Sequence, residues 1–335
     1  MPTDAQVLVD AAKCYGKCIP PGDQLPALIY LTGQILKMPA PFGFFIFTKA
    51  AEGRLTGGGN PKSPPPGDLA SRIIFSVVGD ITGKTVSPAT LDIFSSADDV
   101  GRIYVRNTSL WSSGIDLTCI PASSTGGGSS FNGVLVAPDI LIQANHSHYS
   151  GTFYFCDPNN AVFSAVVISG QQVGSTDIWV SRLSAPLPGS IKPAKVLPVS
   201  AYTGGAVNIL QTDVVNQYML CAFSSEDRTV QVGRLSGLQI FVGVMKCDYA
   251  PADIWYSPVV GGDSGSPVFL FIDGEAVALC TWYQSNMVKY SVGPSISENV
   301  TGINAAISAL GSGYQLATKD LSSYSNYPTY FNYPI

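Results

Sequence analysis

Charge is scarce in this sequence. Lys, Arg, Asp and Glu make up only 12% of its 335 residues, about half of the ~25% usual in soluble domains. The net charge is −5 and no block of Lys and Arg occurs, which removes the electrostatic footprint on which nucleic-acid binding rests. Histidine is scarcer still, with His146 and His148 as the only two. Long apolar runs are missing as well. The longest, "LPALIYLTGQIL" (25–36), falls short of the ~20 residues that a membrane-spanning helix needs. The first residues, "MPTDAQVLVDAA", lack the basic stretch and apolar centre of a secretory leader. Neither a nucleic acid nor a membrane is therefore expected as a partner.

The cysteines form no disulfide framework. Cys14, Cys18, Cys119, Cys156, Cys221, Cys247 and Cys280 are seven, an odd number, so at least one stays unpaired or pairs with another chain. Five stand singly in or beside strand-like runs, where a buried thiol is the ordinary outcome. Cys14 and Cys18 are spaced i, i+4, which suits a strained local disulfide or half a metal site. With both histidines far away and no second cysteine pair, a metal is disfavoured, and no cofactor is implied.

Glycine (34) and proline (24) are abundant instead. They punctuate a pattern that changes along the chain. Residues 1–40 read as a small αα-hairpin: "AQVLVDAAKCYGKC" and "QLPALIYLTGQILKM" have helical apolar spacing and are separated by the turn "IPPGD". Residues 41–70 read as a Gly/Pro-rich linker around "GRLTGGGNPKSPPPGD". Residues 71–112 hold three short strand candidates, "RIIFSVV", "TLDIFSS" and "GRIYVRN", a small β segment or an arm that packs on the next domain. From residue 113, about a dozen strand-like runs occur at short spacing, from "IDLTCIP" to "AVALCTWY", as in antiparallel barrels or sandwiches. A late helix is read at "GINAAISALGSG", and residues 313–335 end in the low-complexity, Tyr-rich run "SSYSNYPTYFNYPI".

Chemistry concentrates in two places. "GGDSGSPVF" (261–269) sets a small hydroxyl residue between glycines just before an apolar strand. Gly262 permits backbone angles forbidden to other residues, so its N–H and that of Ser264 can converge on one point, with the Ser264 hydroxyl at its mouth. A plain surface turn has the same composition. A serine nucleophile also needs a base and a group to orient that base. Both histidines stand together in "LIQANHSHYSG", at the end of a strand upstream of the serine.

These residues resemble the chymotrypsin-like (trypsin-like) serine proteases over residues 113–312. "VLVAPDILIQANHS" is similar to their strand-turn-strand-Ala-Ala-His-Cys segment, "TDIWVSRL" to their Asp-Ile-Ala-Leu-Leu, "GGDSGSPVF" to their Gly-Asp-Ser-Gly-Gly-Pro and "ALCTWYQ" to their Ser-Trp-Gly strand. The order His, Asp, Ser is also theirs. The resemblance implies a mainly β fold of two antiparallel Greek-key barrels dividing near 185–205, with a short C-terminal helix. It implies an endopeptidase acting on polypeptides. Its base falls on His146, with His148 the weaker alternative, and its orienting acid falls on Asp177. The nucleophile is Ser264, and the oxyanion hole is formed by the N–H groups of Gly262 and Ser264. Its substrate pocket is lined by Pro258, Thr281, Trp282 and Tyr283. Pro258 brings no charge and Tyr283 stands where Gly leaves room, so small or medium apolar side chains are expected before the cleaved bond; a slip in the count would bring Asp253 into the pocket.

The sequence also departs from that pattern. Ser147 replaces the cysteine after the histidine, so the disulfide beside the site cannot form. Asn145 replaces a small apolar residue. No activation-cleavage start is present, so Asp263 must find a partner other than a new amino terminus. These departures leave a second expectation open, an inactive structural or binding module on the protease fold. Residues 11–35 loosely resemble a segment of phage and environmental viral proteins. The long appendages suggest attachment to a larger assembly, and with neither a leader nor a membrane span read, a cytoplasmic or virion-associated protein is expected.

Overall fold

The structure is a computed structural model. It describes residues 83–124, 132–198, 219–224, 228–239, 244–248, 255, 259–286 and 290–322, together with 77, 80 and 81. All of them lie in the second of two compact units of the chain, Pro66–Ile335. The expected αα-hairpin (1–40), the linker (41–70), Asp253, Pro258 and the tail beyond residue 322 fall outside the described residues.

The architecture is mainly β, with few helices. Helix α1 (Pro88–Leu91) leads into a hairpin of β1 (Phe94–Asp98) and β2 (Ile103–Arg106). β3 (Ser123–Ser124), β4 (Val134–Ala137), β5 (Ile140–Ala144), β6 (Thr152–Cys156), β7 (Val162–Gln172) and β8 (Ile178–Leu183) come next. They form an antiparallel sheet in the order β3-β6-β7-β8-β5-β4, curled into a half-barrel. A second sheet holds β9 (Lys195–Val196), β10 (Met219–Ser224), β11 (Thr229–Gln239), β12 (Val244–Asp248), β13 (Pro267–Ile272), β14 (Glu275–Thr281), β15 (Gln284–Asn286) and β16 (Tyr290–Pro294). Its order is β15-β16-β12-β11-β10-β13-β14-β9, antiparallel except where β9 lies parallel to β14. Helix α2 (Val300–Ala309) comes last.

Strand patterns follow from what each face touches. β7 alternates: Ala165 and Val167 are buried, while Val166 and Ile168 face outward. β5 and β13 are buried at every residue, because sheet or loop covers both of their faces; such strands read as unbroken apolar runs. One hydrophobic core continues through both sheets, from Ile140 and Ile142 to Phe269 and Phe271. Burying a side chain of this size contributes about 1.5–3 kcal/mol.

The described part of the 71–112 segment belongs to this core, whereas the expected strand at 72–78 lies almost wholly outside the described residues. Ile93, Phe94, Tyr104, Leu110 and Trp111 enter it. The Ile93 N–H donates to Arg228 O at 2.9 Å, Asp92 bridges Thr229, and Trp111 Nε1–H donates to Val230 O at 2.6 Å. The expected strand at 115–121 does not form: the stretch is irregular, with bends and a turn at 115 and 118–120. Asp116 Oδ1 accepts from both the backbone N–H (2.9 Å) and the hydroxyl (2.7 Å) of Thr118. This local closure competes with a strand ladder.

α2 buries Ile303, Ala306 and Ile307, one helical stripe. It ends where Gly311 turns left-handed (φ +77), letting Ser312 N–H reach back to Ile307 O at 3.2 Å. The chain beyond α2 ties the two sheets together. Arg182 Nη1 donates to Leu310 O (2.7 Å) and Ser312 Oγ to Asp139 Oδ1 (2.7 Å) on the six-stranded side. Val196 N–H then donates to Ala317 O (2.9 Å) at the edge of the eight-stranded sheet. Among the described residues no helix is long and apolar enough to cross a membrane. Cys119, Cys156 and Cys280 carry buried thiols outside any disulfide.

Candidate active site

β5 and β8 are neighbours, with Ala144 opposite Ile178. This register alone brings the residues following β5 beside the residue preceding β8. Asn145 N–H donates to Asp177 O at 2.9 Å, and the chain turns through one 3-10 step, Asn145–Ser147. Asp177 then grips one residue twice: Oδ1 accepts the His146 backbone N–H at 2.9 Å, and Oδ2 lies 2.8 Å from His146 Nδ1. An ionised carboxylate only accepts, so Nδ1 carries the proton and Nε2 presents its lone pair. That lone pair faces Ser264, with His146 Nε2 to Ser264 Oγ at 2.9 Å. The imidazole is 44% exposed and the carboxylate 18%, so the ring is open to solvent while its acid partner is shielded.

Ser264 stands on a turn built by glycines. Gly262 (φ +107) and Gly265 (φ +85) both lie in the left-handed region, which other residues enter only with strain. The turn closes on itself through Asp263 N–H to Val260 O (3.2 Å) and Ser266 N–H to Asp263 O (2.9 Å). It is laced to the end of β14 by Gly265 N–H to Trp282 O (2.7 Å) and Trp282 N–H to Ser266 O (3.0 Å). Asp263 is buried and accepts the Val260 N–H at Oδ2 (3.1 Å), a partner it finds inside its own loop. The Ser264 N–H donates to no group among the described residues; it flanks the hydroxyl and can take an incoming anion.

The remaining residues singled out in the sequence divide clearly. His148 is not in the hydrogen-bonded line. Its Nδ1 lies 2.6 Å from Asn145 O and its ring stacks on Trp179 with centroids 3.8 Å apart, so it braces the turn that carries His146. Asn145 is likewise pinned on both sides of its peptide unit. Ser147 buries its hydroxyl with no hydrogen-bond partner, in the slot where the resemblance has a cysteine. Thr281 and Trp282 are buried beside the serine turn, and Tyr283 is half-buried with its N–H on Val292 O at 3.0 Å. Pro258 lies outside the described residues.

One site residue went unread in the sequence. Asn132 is buried at the entry to β4, and its side-chain Nδ2 donates to Gly262 O at 2.9 Å and Ser264 O at 3.2 Å. In "SSFNGVLVA" it reads as an ordinary turn asparagine, and its partners lie about 130 residues further on. No group of three or more His, Cys, Asp or Glu side chains that could hold a metal ion occurs among the described residues. No protein-family model matches this chain, and no curated protein matches it at a significant level.

Proposed function

We propose that this chain is a serine endopeptidase of the chymotrypsin-like class. In this reading the six-stranded sheet and the sheet around β10–β16 are its two Greek-key barrels. The observation that carries the proposal is the unbroken line from Asp177 through His146 to Ser264, with contacts of 2.8 and 2.9 Å, at a turn shaped by two left-handed glycines. A bare surface turn has no use for this geometry. The serine hydroxyl is a weak nucleophile until a base accepts its proton.

Ser264 Oγ attacks the carbonyl carbon of a peptide bond as its proton passes to His146 Nε2. The Asp177 carboxylate holds the imidazole in the required tautomer and stabilises the imidazolium that forms. The carbonyl oxygen, now an anion, lies against the N–H groups of Gly262 and Ser264. Preorganised donors of this kind contribute about 10²–10³-fold each. His146 then returns the proton to the leaving amine, and water repeats the sequence on the acyl-enzyme. Asp263 already has its partner in Val260, so the reading requires no cleaved amino terminus for the turn to form. Buried Trp282 and half-buried Tyr283 beside the turn favour small or medium apolar side chains at the cleaved bond. An apolar pocket discriminates by about 1–3 kcal/mol per methylene, so that preference is graded. Attachment to a larger assembly, through the N-terminal residues or the tail, remains part of the proposal.

A fluorophosphonate probe tests the activity directly. Labelling of Ser264 that vanishes in Ser264→Ala supports the hydrolase. Absence of label on folded protein supports an inactive module on the same fold.

A further inference from the structure

Three successive carbonyls of the serine turn are each held. Asp263 O accepts Ser266 N–H within the turn. The carbonyls on either side, Gly262 O and Ser264 O, both accept from Asn132 Nδ2, at 2.9 and 3.2 Å. Carbonyl oxygens donate nothing, so the amide end facing them must be the NH₂. Asn132 is 8% exposed and leads into β4 of the six-stranded sheet, whereas the turn leads into β13 of the other. The close approach depends on Gly265. A Cβ there would meet Asn132 O at 3.2 Å and Ala144 N at 3.3 Å, at a φ of +85.

The consequence is geometric. The Ser264 N–H lies in the peptide plane between Asp263 and Ser264. Fixing the planes before and after it leaves that N–H little freedom to swing. The Gly262 N–H is joined to the plane that Asn132 holds at Gly262 O through the φ and ψ of Gly262, with φ at +107. A single amide, reaching across from the side of the base, thus joins the Ser266 and Trp282 contacts in holding the Ser264 N–H and the serine in place relative to His146. We propose that Asn132 is a positioning residue for the serine turn, holding the anion-hole peptide planes in register with the His146–Asp177 pair. The inference rests on the hydrolase reading above and names a part of that site which none of its motifs contains.

The test uses the full chain with Asn132→Ala and Asn132→Asp. The Asp variant keeps the shape and removes both N–H donors. Active serines are first counted by fluorophosphonate titration, so that any loss of folded protein is divided out. Per titrated serine, both variants should lose roughly 10- to 100-fold in kcat, the scale of a 1 Å misplacement. KM should change little, and in Asn132→Ala the acid limb of the pH profile should not move, because Asn132 touches neither His146 nor Asp177 and its loss changes no charge. Backbone amide exchange at residues 262–266 should quicken in both variants. Wild-type kcat per titrated serine in either variant overturns the proposal, as does a loss confined to KM or to thermal stability. A wild-type chain that takes no label overturns the hydrolase reading and the catalytic purpose of the contact with it. Amide exchange still decides the contact in that case, and unchanged exchange in both variants overturns it.

Discussion

The two sheets supply the site by different means. On the six-stranded side, the histidine and the aspartate meet because β5 and β8 are paired neighbours. Ala144 opposite Ile178 puts Asn145 against Asp177, and the carboxylate then takes both the N–H and the ring of His146. Sheet register does nearly all of this work. On the eight-stranded side, the serine sits on a turn whose shape comes from two left-handed glycines and from bonds to Trp282 and Asn132. Register places β13 but not that turn. A pair built on register is hard to misplace, whereas a turn held by single contacts moves when one of them is lost. The first side should fail through its chemistry and the second through its geometry.

The largest effect tests the histidine. His146→Ala removes the base and should cost kcat about 10⁶-fold, the scale seen when a serine or histidine of such a set is removed. His148→Ala loses only the stack on Trp179 and the contact with Asn145 O, and should cost roughly tenfold or less, since it loosens the turn without touching the reacting atoms. Equal losses, or loss from His148 alone, would reverse the assignment. Next comes Asp177→Asn. Asn Oδ1 can still accept the His146 backbone N–H, but its NH₂ would face His146 Nδ1. That nitrogen would then have to accept, leaving the proton on Nε2, where it points at Ser264 and blocks the transfer. A fall of about 10⁴-fold in kcat with little change in folding stability is expected. A fall below about tenfold would mean that register alone orients the ring.

Trp111→Ala probes how the eight-stranded side is held from outside. Trp111 is 1% exposed, lies 5.6 Å from the Phe271 ring centroid and donates to Val230 O. Its removal opens a cavity and orphans a carbonyl, and should cost about 3–5 kcal/mol in denaturant unfolding. The rate per titrated serine should hold, because the site is built elsewhere. A cost under about 1 kcal/mol would mean that residues 88–112 only rest on the sheet.

The same division explains why parts of the molecule were legible in the sequence. His146, Asp177 and Ser264 each sit in a short segment whose neighbours identify it, and the strands around them announce themselves by β-branched and aromatic runs. Asn132 gave no such signal, because its meaning lies in two carbonyls on another sheet. Trp111 gave none either: its partner is 119 residues away, so the segment 71–112 read only as a small β segment or an arm that packs on the next domain. Residues 115–121 looked like a strand because their apolar side chains are destined for the core, yet Asp116 closes locally on Thr118 and the stretch stays irregular. Local pattern reports burial and periodicity; it does not report which distant backbone groups a polar side chain will satisfy.

The smallest effect concerns the strap at the far edge of the eight-stranded sheet. Lys319 N–H donates to Val196 O at 2.8 Å, and its ammonium lies 3.0 Å from Glu275 Oε2, with Lys195 Nζ 3.0 Å from Oε1. Burial pushes the Glu275 carboxyl up, but the two lysines outweigh it and hold it below its ordinary 4.5. A carboxyl depressed on folding stabilises the fold fully above its ordinary value, and that contribution is lost as pH falls through the lower folded value. Lys319→Ala removes one of the two cations. Glu275 is 42% exposed, so solvent screens the pair and the loss near neutrality should stay under about 1 kcal/mol. Asp273 Oδ2, 3.8 Å from the same ammonium, adds a second acid that loses its charge when protonated. The stability gap between wild type and Lys319→Ala should therefore be largest near pH 7 and close as the pH drops well below 4.5. Unfolding midpoints across that range measure it. A gap that stays constant would assign the effect to the buried Lys319 stem, and a gap that widens in acid would reverse the sign argued for Glu275.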